Sequence, residues 1–289
     1  MPLLSYPPSF ARRYQTTDGQ PSPNEGETVA STTTSGLYGA YNEAFDGALL
    51  TQDVYGIHLQ FNDANTSTAS RPGMVAIGVD PTAGTAYTTV ITDLLSGTPG
   101  QLSGLSGAGT SYYFPFYIKA GSSVAVKFAT LGITTRALSY IVRLDQAPRY
   151  MDALPVGQHV YTYGVGSLGL CQGVAMDANM GTVSEGVWTE IGTVAAGTYP
   201  WWWQVGVSVN NAATTSLLYT VDLAIGDASN KHIVFEEMIV QQGTNETTSF
   251  INPFTGVAWP AAPGDKVYAR IQCSGTADTG VSIAAYGMA

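Results

Sequence analysis

Short runs in which apolar and polar residues alternate recur along most of the chain. In residues 57–61 the apolar side chains of Ile57, Leu59 and Phe61 occupy every second position, which is the period of a half-buried β-strand. The segment 235–240 could form one helical turn, but it aligns with a strand elsewhere in the chain, so we predict a strand there as well. Alternation bounded by turn residues predicts strands near 54–61, 73–79, 86–91, 112–118, 122–129 and 136–144, and again near 201–209, 217–225, 232–240, 254–259, 265–272 and 279–286.

The two sets of strands indicate an internal repeat. An offset of 148 residues places Ile57, Leu59 and Phe61 on Val205, Val207 and Val209, and an offset of 143 then aligns residues 120–124 with 263–267. The change in offset falls in the Gly/Ser-rich loop 96–110, where a change of length is tolerated. Chance similarity between two β-rich halves is the alternative. Six to eight short strands in about 100 residues are typical of a β-sandwich, and we favour a jelly roll because of the long crossover loops.

This pattern predicts an all-β protein with two tandem jelly-roll-like β-sandwich domains and an extended N-terminal arm. We expect the arm at 1–45, the first sandwich at 46–147, a connecting segment at 148–184 and the second sandwich at 185–289. The arm shows neither the period of 2 of a strand nor the period of 3.6 of a helix. A disordered tail is therefore one interpretation of residues 1–45. We favour an arm laid across a partner, because disordered tails usually lack apolar anchors. The candidate partner-binding residues of the arm are Leu3, Leu4, Tyr6, Phe10 and Tyr14.

Composition and charge narrow the possible functions. The chain has 11 basic and 21 acidic residues, a net charge of -10, and no Lys or Arg between 150 and 230. Because a phosphate backbone would be repelled by this charge, we expect no nucleic-acid partner. The apolar runs are far shorter than the roughly 20 residues of a membrane-spanning helix, so we expect no membrane partner. No secretory signal is visible at the N-terminus, which predicts synthesis in the cytoplasm.

Two longer motifs resemble structural proteins of tailed-bacteriophage virions. The first is Ala76-Ile77-Gly78-Val79-Asp80-Pro81-Thr82-Ala83-Gly84-Thr85-Ala86-Tyr87, and the second runs from Tyr112 through Phe114-Pro115-Phe116 to Ala120-Gly121-Ser122-Ser123-Val124. In that family such strand–turn–strand motifs recur in jelly-roll domains of head decoration or cement proteins and of head or tail fibres. The second half keeps only Ala224-Ile225-Gly226-Asp227 and has Ala258-Trp259-Pro260 at the Phe-Pro position. The resemblance implies a structural role.

The sequence offers few candidate catalytic, metal-binding or cofactor-binding residues. The three histidines, His58, His159 and His232, accompany no nucleophile motif, and we expect no enzyme activity. Adjacent Glu236 and Glu237 would point to opposite faces of a strand, which is unsuited to a glycosidase pair. No spacing matches a metal or cofactor motif, so we predict no metal and no cofactor.

Cysteine usage indicates no disulfide framework. Cys171 and Cys273 are the two cysteines of the chain. Two cysteines without a CxxC spacing suit neither a framework nor a metal site, and we expect buried thiols.

A run of three tryptophans is the most unusual local feature. Alternation would place Trp201 and Trp203 on one face of a strand and Trp202 on the other. Tryptophan is a preferred anchor of protein interfaces, so we expect a core or subunit contact. A stacking platform for a sugar ring is the alternative.

These observations lead to two hypotheses. The first is a non-enzymatic virion structural protein that binds capsid, neck or tail proteins as a decoration, cement or spike-base protein. It would form a homo-oligomer, with a trimer favoured, and be assembled in the host cytoplasm. The second is a fibre or receptor-binding protein that recognises a host cell-surface glycan. The absence of a long repetitive shaft favours the first hypothesis.

Overall fold

The computed structural model describes residues 13–15, 27–63, 71–98, 110–132, 135–145, 157–167, 171–176, 179–180, 185–209, 217–242, 249–250, 256–274 and 281–289. Throughout these ranges there is no helix, and the strands number twenty-one. The prediction of an all-β chain built from β-sandwiches is confirmed.

The strands of the N-terminal half are β1 (Arg13–Gln15), β2 (Glu27–Ala30), β3 (Asn42–Phe45), β4 (Gly56–Asp63), β5 (Arg71–Asp80), β6 (Thr88–Thr98), β7 (Thr110–Phe114), β8 (Ser123–Thr130) and β9 (Ala137–Asp145). The strands of the C-terminal half are β10 (Val160–Tyr163), β11 (Val165–Ser167), β12 (Gln172–Ala175), β13 (Asn179–Met180), β14 (Thr189–Thr193), β15 (Trp202–Val209), β16 (Leu217–Gly226), β17 (Lys231–Gln242), β18 (Ser249–Phe250), β19 (Val257–Ala258), β20 (Lys266–Cys273) and β21 (Val281–Met288).

Strands β2 to β9 form the first sandwich. One of its sheets has the order β2-β9-β4-β7, and the other has the order β3-β8-β5-β6. The strands alternate between the sheets along the chain except at the β5–β6 hairpin. Two four-stranded sheets connected in this way constitute a jelly roll.

The second sandwich repeats this order. Strand β21 lies between β12 and β15, and β15 also pairs with β18 and β19. The facing sheet has the order β14-β20-β16-β17. Each strand of the first sandwich therefore has a counterpart in the second, as expected for a duplication.

The ladders correct the alignment made from the sequence. The β4–β9 ladder starts at Gly56 opposite Asp145, and the β15–β21 ladder starts at Trp202 opposite Met288. Matching the two starts places Ile57 on Trp203, two residues before the Val205 that the sequence alignment gave. The error arises because a strand repeats every two residues, so a slip of two leaves every side chain on its own face.

Both sandwiches interrupt the same ladder at the same place. The β5–β6 pairing shifts on either side of Ile77, and the β16–β17 pairing shifts on either side of Leu223. At the irregularity, Asp93 has a φ of 54° and Glu237 a φ of 50°. Left-handed backbone is unusual for residues other than glycine. Its presence at both equivalent bulges shows that the bulge belongs to the repeated architecture.

Part of the predicted arm belongs to these sheets. Strand β1 pairs with the end of β9, β2 pairs with the start of β9, and β3 pairs with β8. Val29 and Phe45 are buried in the core of the first sandwich. The described part of 1–45 is thus laid across its own chain, whereas the sequence suggested a partner. In the same way, the segment 148–184 contains β10 to β13, which were expected to be a connection.

The turn motifs have their own backbone requirements. A glycine at the end of the Asp80–Gly84 turn predicts a positive φ at Gly84, but that conformation falls on Ala83, with a φ of 56°. Gly84 is needed for space, because a Cβ there would lie 2.7 Å from Oδ2 of Asp80. The Asp80 carboxylate accepts hydrogen bonds from the backbone and hydroxyl of Thr82, which lower its pKa. In the second motif the glycine itself takes the positive φ, since Gly121 has a φ of 81°.

Two apolar clusters form the core, and the strands β15 and β21 separate them. Ala284, Tyr286 and Met288 join the cluster of the first sandwich. Ile283 and Ala285 join the cluster of the second. All eight residues of β21 are buried, and a strand covered on both faces is expected to read as a nearly continuous apolar run. The two halves are therefore packed directly against each other.

Because β2 pairs with β9 and β3 pairs with β8, truncation of the N-terminus should destabilise the first sandwich. Deleting residues 1–45 removes strands from the edges of both sheets of the first sandwich. It also removes the buried side chains of Val29 and Phe45, which exposes the core residues that they cover. Each buried side chain of this kind contributes about 1.5–3 kcal/mol, so the melting temperature should fall by several degrees. Deleting residues 1–12 is the control, and it should leave the thermal transition in place. Equal melting of both truncated chains would contradict the assignment.

Candidate functional site

The contact between the sandwiches centres on the hydroxyl of Tyr286. This hydroxyl accepts a hydrogen bond from the backbone N of Leu95 at 2.7 Å and donates one to the carbonyl oxygen of Asp93 at 3.1 Å. The carbonyl of Leu95 accepts from the hydroxyl of Tyr112 at 2.6 Å. The rings of Tyr112 and Tyr286 meet edge to face with centroids 5.4 Å apart. Burial raises the pKa of both phenols, so they act as neutral donors.

Strand pairing and further hydrogen bonds extend this contact. Strand β10 pairs with β6 in parallel at Val160 and Ile91, and the hydroxyl of Thr162 donates to the carbonyl of Thr92 at 2.6 Å. Since β10 also pairs with β21, one sheet continues from the first sandwich into the second. The second sandwich therefore covers the outer edge of β6.

The tryptophan run lies at this contact. Trp202 packs in the first cluster, and its indole N–H donates to the carbonyl of Tyr113 at 3.3 Å. Trp203 is fully buried in the second cluster and donates to the carbonyl of Trp259 at 2.8 Å. Trp201 precedes the strand and packs beside Trp202 on the first cluster, so the alternation predicted for Trp201 and Trp203 fails. The buried rings of Trp202 and Trp203 present no face on which a sugar could stack.

The arm residues Leu3, Leu4, Tyr6 and Phe10 lie outside the described residues. Tyr14 lies in β1, where it pairs with Leu144.

Both thiols are buried, and they belong to different cores. Cys171 lies in the first cluster and Cys273 in the second, and no disulfide joins them. Burial raises the pKa of the Cys171 thiol to about 12, so its thiolate is not populated at neutral pH.

The outer faces of the two equivalent sheets differ in chemistry. In the second sandwich this face carries Trp202, Gln204, Ala284, Tyr286 and Met288, all of them buried against the first sandwich. The equivalent positions of the first sandwich hold Gly56, His58, Ile141, Arg143 and Asp145. The face of the second sandwich that meets the first is thus mostly apolar, whereas the corresponding face of the first sandwich carries three ionisable side chains.

Each sandwich also carries one cation at an equivalent position on its other sheet. Lys127 lies over the rings of Tyr38 and Tyr41 at 5.0 and 4.6 Å. The hydroxyl of Tyr38 donates to the carboxylate of Asp93 at 2.8 Å, which ties this cluster to the bulge of β6.

In the second sandwich the guanidinium of Arg270 replaces that ammonium. It lies 4.4 Å from the ring of Trp188 and 2.7 Å from the carboxylate of Asp222, and it also pairs with Glu185. Asp222 accepts a hydrogen bond from the backbone N of Glu237 in the bulge of β17. Each cluster is hydrogen-bonded to the bulge of an edge strand, β6 in the first sandwich and β17 in the second. This shared contact gives a physical reason why both halves carry a cation over an aromatic ring.

The candidate catalytic and metal-binding groups remain dispersed. Nε2 of His58 lies 3.4 Å from Asp145, His159 is half-buried, and His232 is exposed beside Trp259. Glu236 and Glu237 are both exposed. Within the ranges that the structure describes, no three His, Cys, Asp or Glu side chains come together in a metal-binding arrangement.

No helix long and apolar enough to cross a bilayer occurs in the described part of the chain.

One edge strand carries an exposed apolar side chain. Strand β17 ends its sheet, and its residue Ile239 is 63% exposed. The equivalent residue of β6 is Leu95, because each stands two positions after the left-handed residue of its bulge. Leu95 is 1% exposed, since the second sandwich covers it.

Comparison with known proteins identifies no family. No family model matches the chain, and no curated protein matches it. Among solved structures, PNGF-II has a TM-score of 0.36 and 12% identity, over 97% of this chain and 66% of that chain, so this chain spans slightly less than two thirds of it. The CBM22-1-CBM22-2 tandem domain of Paenibacillus barcinonensis Xyn10C has a TM-score of 0.27 and 10% identity, over 94% and 90% of the two chains. A chain of infectious bursal disease virus strain Gx has a TM-score of 0.25 and 10% identity, over 96% and 72%. No conclusion about function follows from scores this low.

The hydrogen bonds of Tyr286 yield a stability prediction. Replacing Tyr286 with Phe keeps the buried ring but leaves the backbone N of Leu95 without its acceptor, which costs about 1–3 kcal/mol. The urea midpoint should fall accordingly, with an unchanged slope. The control is Tyr161→Phe on the adjacent strand β10, where the side chain is partly exposed and little change is expected. A Tyr286→Phe chain as stable as the unsubstituted one would refute the role of this hydroxyl.

Proposed function

We propose that the chain is a non-enzymatic structural protein of a virus particle, of the tailed-bacteriophage type that its motifs resemble. It would bind capsid or head–tail proteins as a decoration, cement or spike-base protein and assemble in the host cytoplasm. The observation that carries the proposal is the tandem pair of complete jelly rolls whose sequence motifs build strands and turns. The first motif forms β5, the Asp80 turn and the approach to β6, and the second forms the end of β7 and the connection that crosses to β8 in the facing sheet.

The surface chemistry supports an assembly role. Large apolar side chains exposed on the described surface include Leu37, Leu49, Val187, Tyr199 and Ile239, at 55%, 62%, 80%, 63% and 63%. Isolated residues of this kind are common on protein surfaces. Together with the arm anchors Leu3, Leu4, Tyr6 and Phe10, they provide several independent contact points for other proteins, which suits a chain that is buried among neighbours in a particle.

Particle binding tests the proposal. Purified chain is added to particles that lack it, and bound chain is located by cryo-electron microscopy. Replacing Leu3, Leu4, Tyr6 and Phe10 with serine should abolish attachment without changing the melting temperature, because these anchors precede every described strand. A control replaces Leu218, which is 44% exposed on β16 and is not one of these contact points, with serine and should still attach. If the full chain binds no particle and appears at no site in the virion, the proposal fails.

Glycan recognition is the second candidate, and a different surface favours it. The rings of Tyr55 and Tyr117 lie 5.7 Å apart and are half-buried, and the hydroxyl of Tyr117 donates to the carboxylate of Asp53 at 3.1 Å. Aromatic faces beside a carboxylate suit a sugar ring with its hydroxyls. Glycan-array binding that is lost in Tyr117→Ala would favour a receptor-binding role over the cement role.

A further inference from the structure

Strand β17 of the second sandwich has an open outer edge, whereas the outer edge of the equivalent strand β6 in the first sandwich is covered. Inside the chain, β6 receives β10 along its outer edge and the Tyr286 hydroxyl at its bulge. Strand β17 is the counterpart of β6, and among the described strands none pairs with its outer edge. An uncovered edge strand with an apolar residue such as Ile239 is a template for pairing with another chain.

We propose that this edge binds the first sandwich of a second copy of the chain, in a head-to-tail contact that repeats the internal one. The surface that covers β6 consists of β10 and β21. Its counterpart in the first sandwich consists of β1 and β9, because Arg13 pairs with Asp145 as Val160 pairs with Met288. Each chain therefore carries one covering surface and one open edge, which is the requirement for a heterologous contact.

Charge complementarity supports this occupant. Counting along the equivalent ladders, Arg143 stands at the position of Tyr286, and Glu236 and Glu237 stand at the positions of Thr92 and Asp93. The contact would bring the guanidinium of Arg143 to the two acidic residues. Its side chain is 25% exposed and lies 3.8 Å from Asp145 of the same chain. Opposite charges across an interface favour the correct partner and speed encounter.

The same charges disfavour the simplest alternative. Two β17 strands paired around a two-fold axis would place Glu236 and Glu237 on both sides of the contact, and like charges in an interface are unfavourable. A head-to-tail contact has no such repulsion. It closes into a ring or continues as a filament, and the trimer expected from the sequence is a ring with six jelly rolls.

Two single substitutions test the contact on the purified chain, independently of any particle. Ile239→Asp disables the edge, and Arg143→Glu disables the covering surface. Each variant alone should associate at least tenfold more weakly in sedimentation equilibrium than the unsubstituted chain. An equimolar mixture should form a one-to-one dimer and nothing larger, because one intact surface of each kind remains.

Controls separate loss of binding from loss of folding. Ala196→Asp introduces the same charge at an exposed residue just after β14, on the opposite edge of the sheet from β17, and should assemble normally. If thermal melting shows that Arg143→Glu does not fold, Ile141→Asp on the same face of β9 replaces it. The inference is overturned if the unsubstituted chain is monomeric at tens of micromolar, if the folded covering-surface variant assembles normally, or if the mixture stays monomeric. A monomer that still binds particles would reject this contact and keep the proposed function.

Discussion

The burial of one face of the β15–β21 sheet against the first sandwich organises the whole molecule. A jelly roll usually hides one face of each sheet and exposes the other. Here the outer face of the β15–β21 sheet, which carries Trp202, Ala284 and Tyr286, is buried against the first sandwich. Apolar burial of this kind is the main favourable term in folding and association. The buried tyrosine hydroxyl and the β10–β6 pairing then satisfy backbone groups that this burial would otherwise leave without partners.

Most of the architecture could be predicted from the sequence, because its long strands alternate clearly. The strands predicted near 122–129 and 265–272 correspond to β8 and β20, each displaced by one residue. The short strands β2, β3, β12 and β14 were not predicted, since four or five residues without a strict period give little signal. Their place is fixed by long-range pairing with β8, β9, β20 and β21, which local patterns do not record.

The site was harder to predict for a related reason. The tryptophan run was correctly identified as a place where apolar area is buried, but the sequence could not distinguish a contact within the chain from one between chains. The best available signal was β21, whose residues 281–288 are almost continuously apolar or small. Such a run indicates burial on both faces, and it could have pointed to the contact between the halves. The role of Tyr286 depends on a bulge in β6 that no local pattern reveals.

The wide separation in sequence between the partners of this contact has a consequence for synthesis. Leu95 and Tyr286 are separated by 191 residues, so a ribosome completes the first sandwich long before the strand that covers it. During that interval the nascent chain exposes the edge of β6 and the side chain of Leu95 to solvent. Domains fold as they emerge, and exposed strand edges are prone to misassembly at this stage. The outer edge of β6 is therefore covered only after β21 has been translated. A stall before β21 would release a product whose β6 edge is free to pair with another chain.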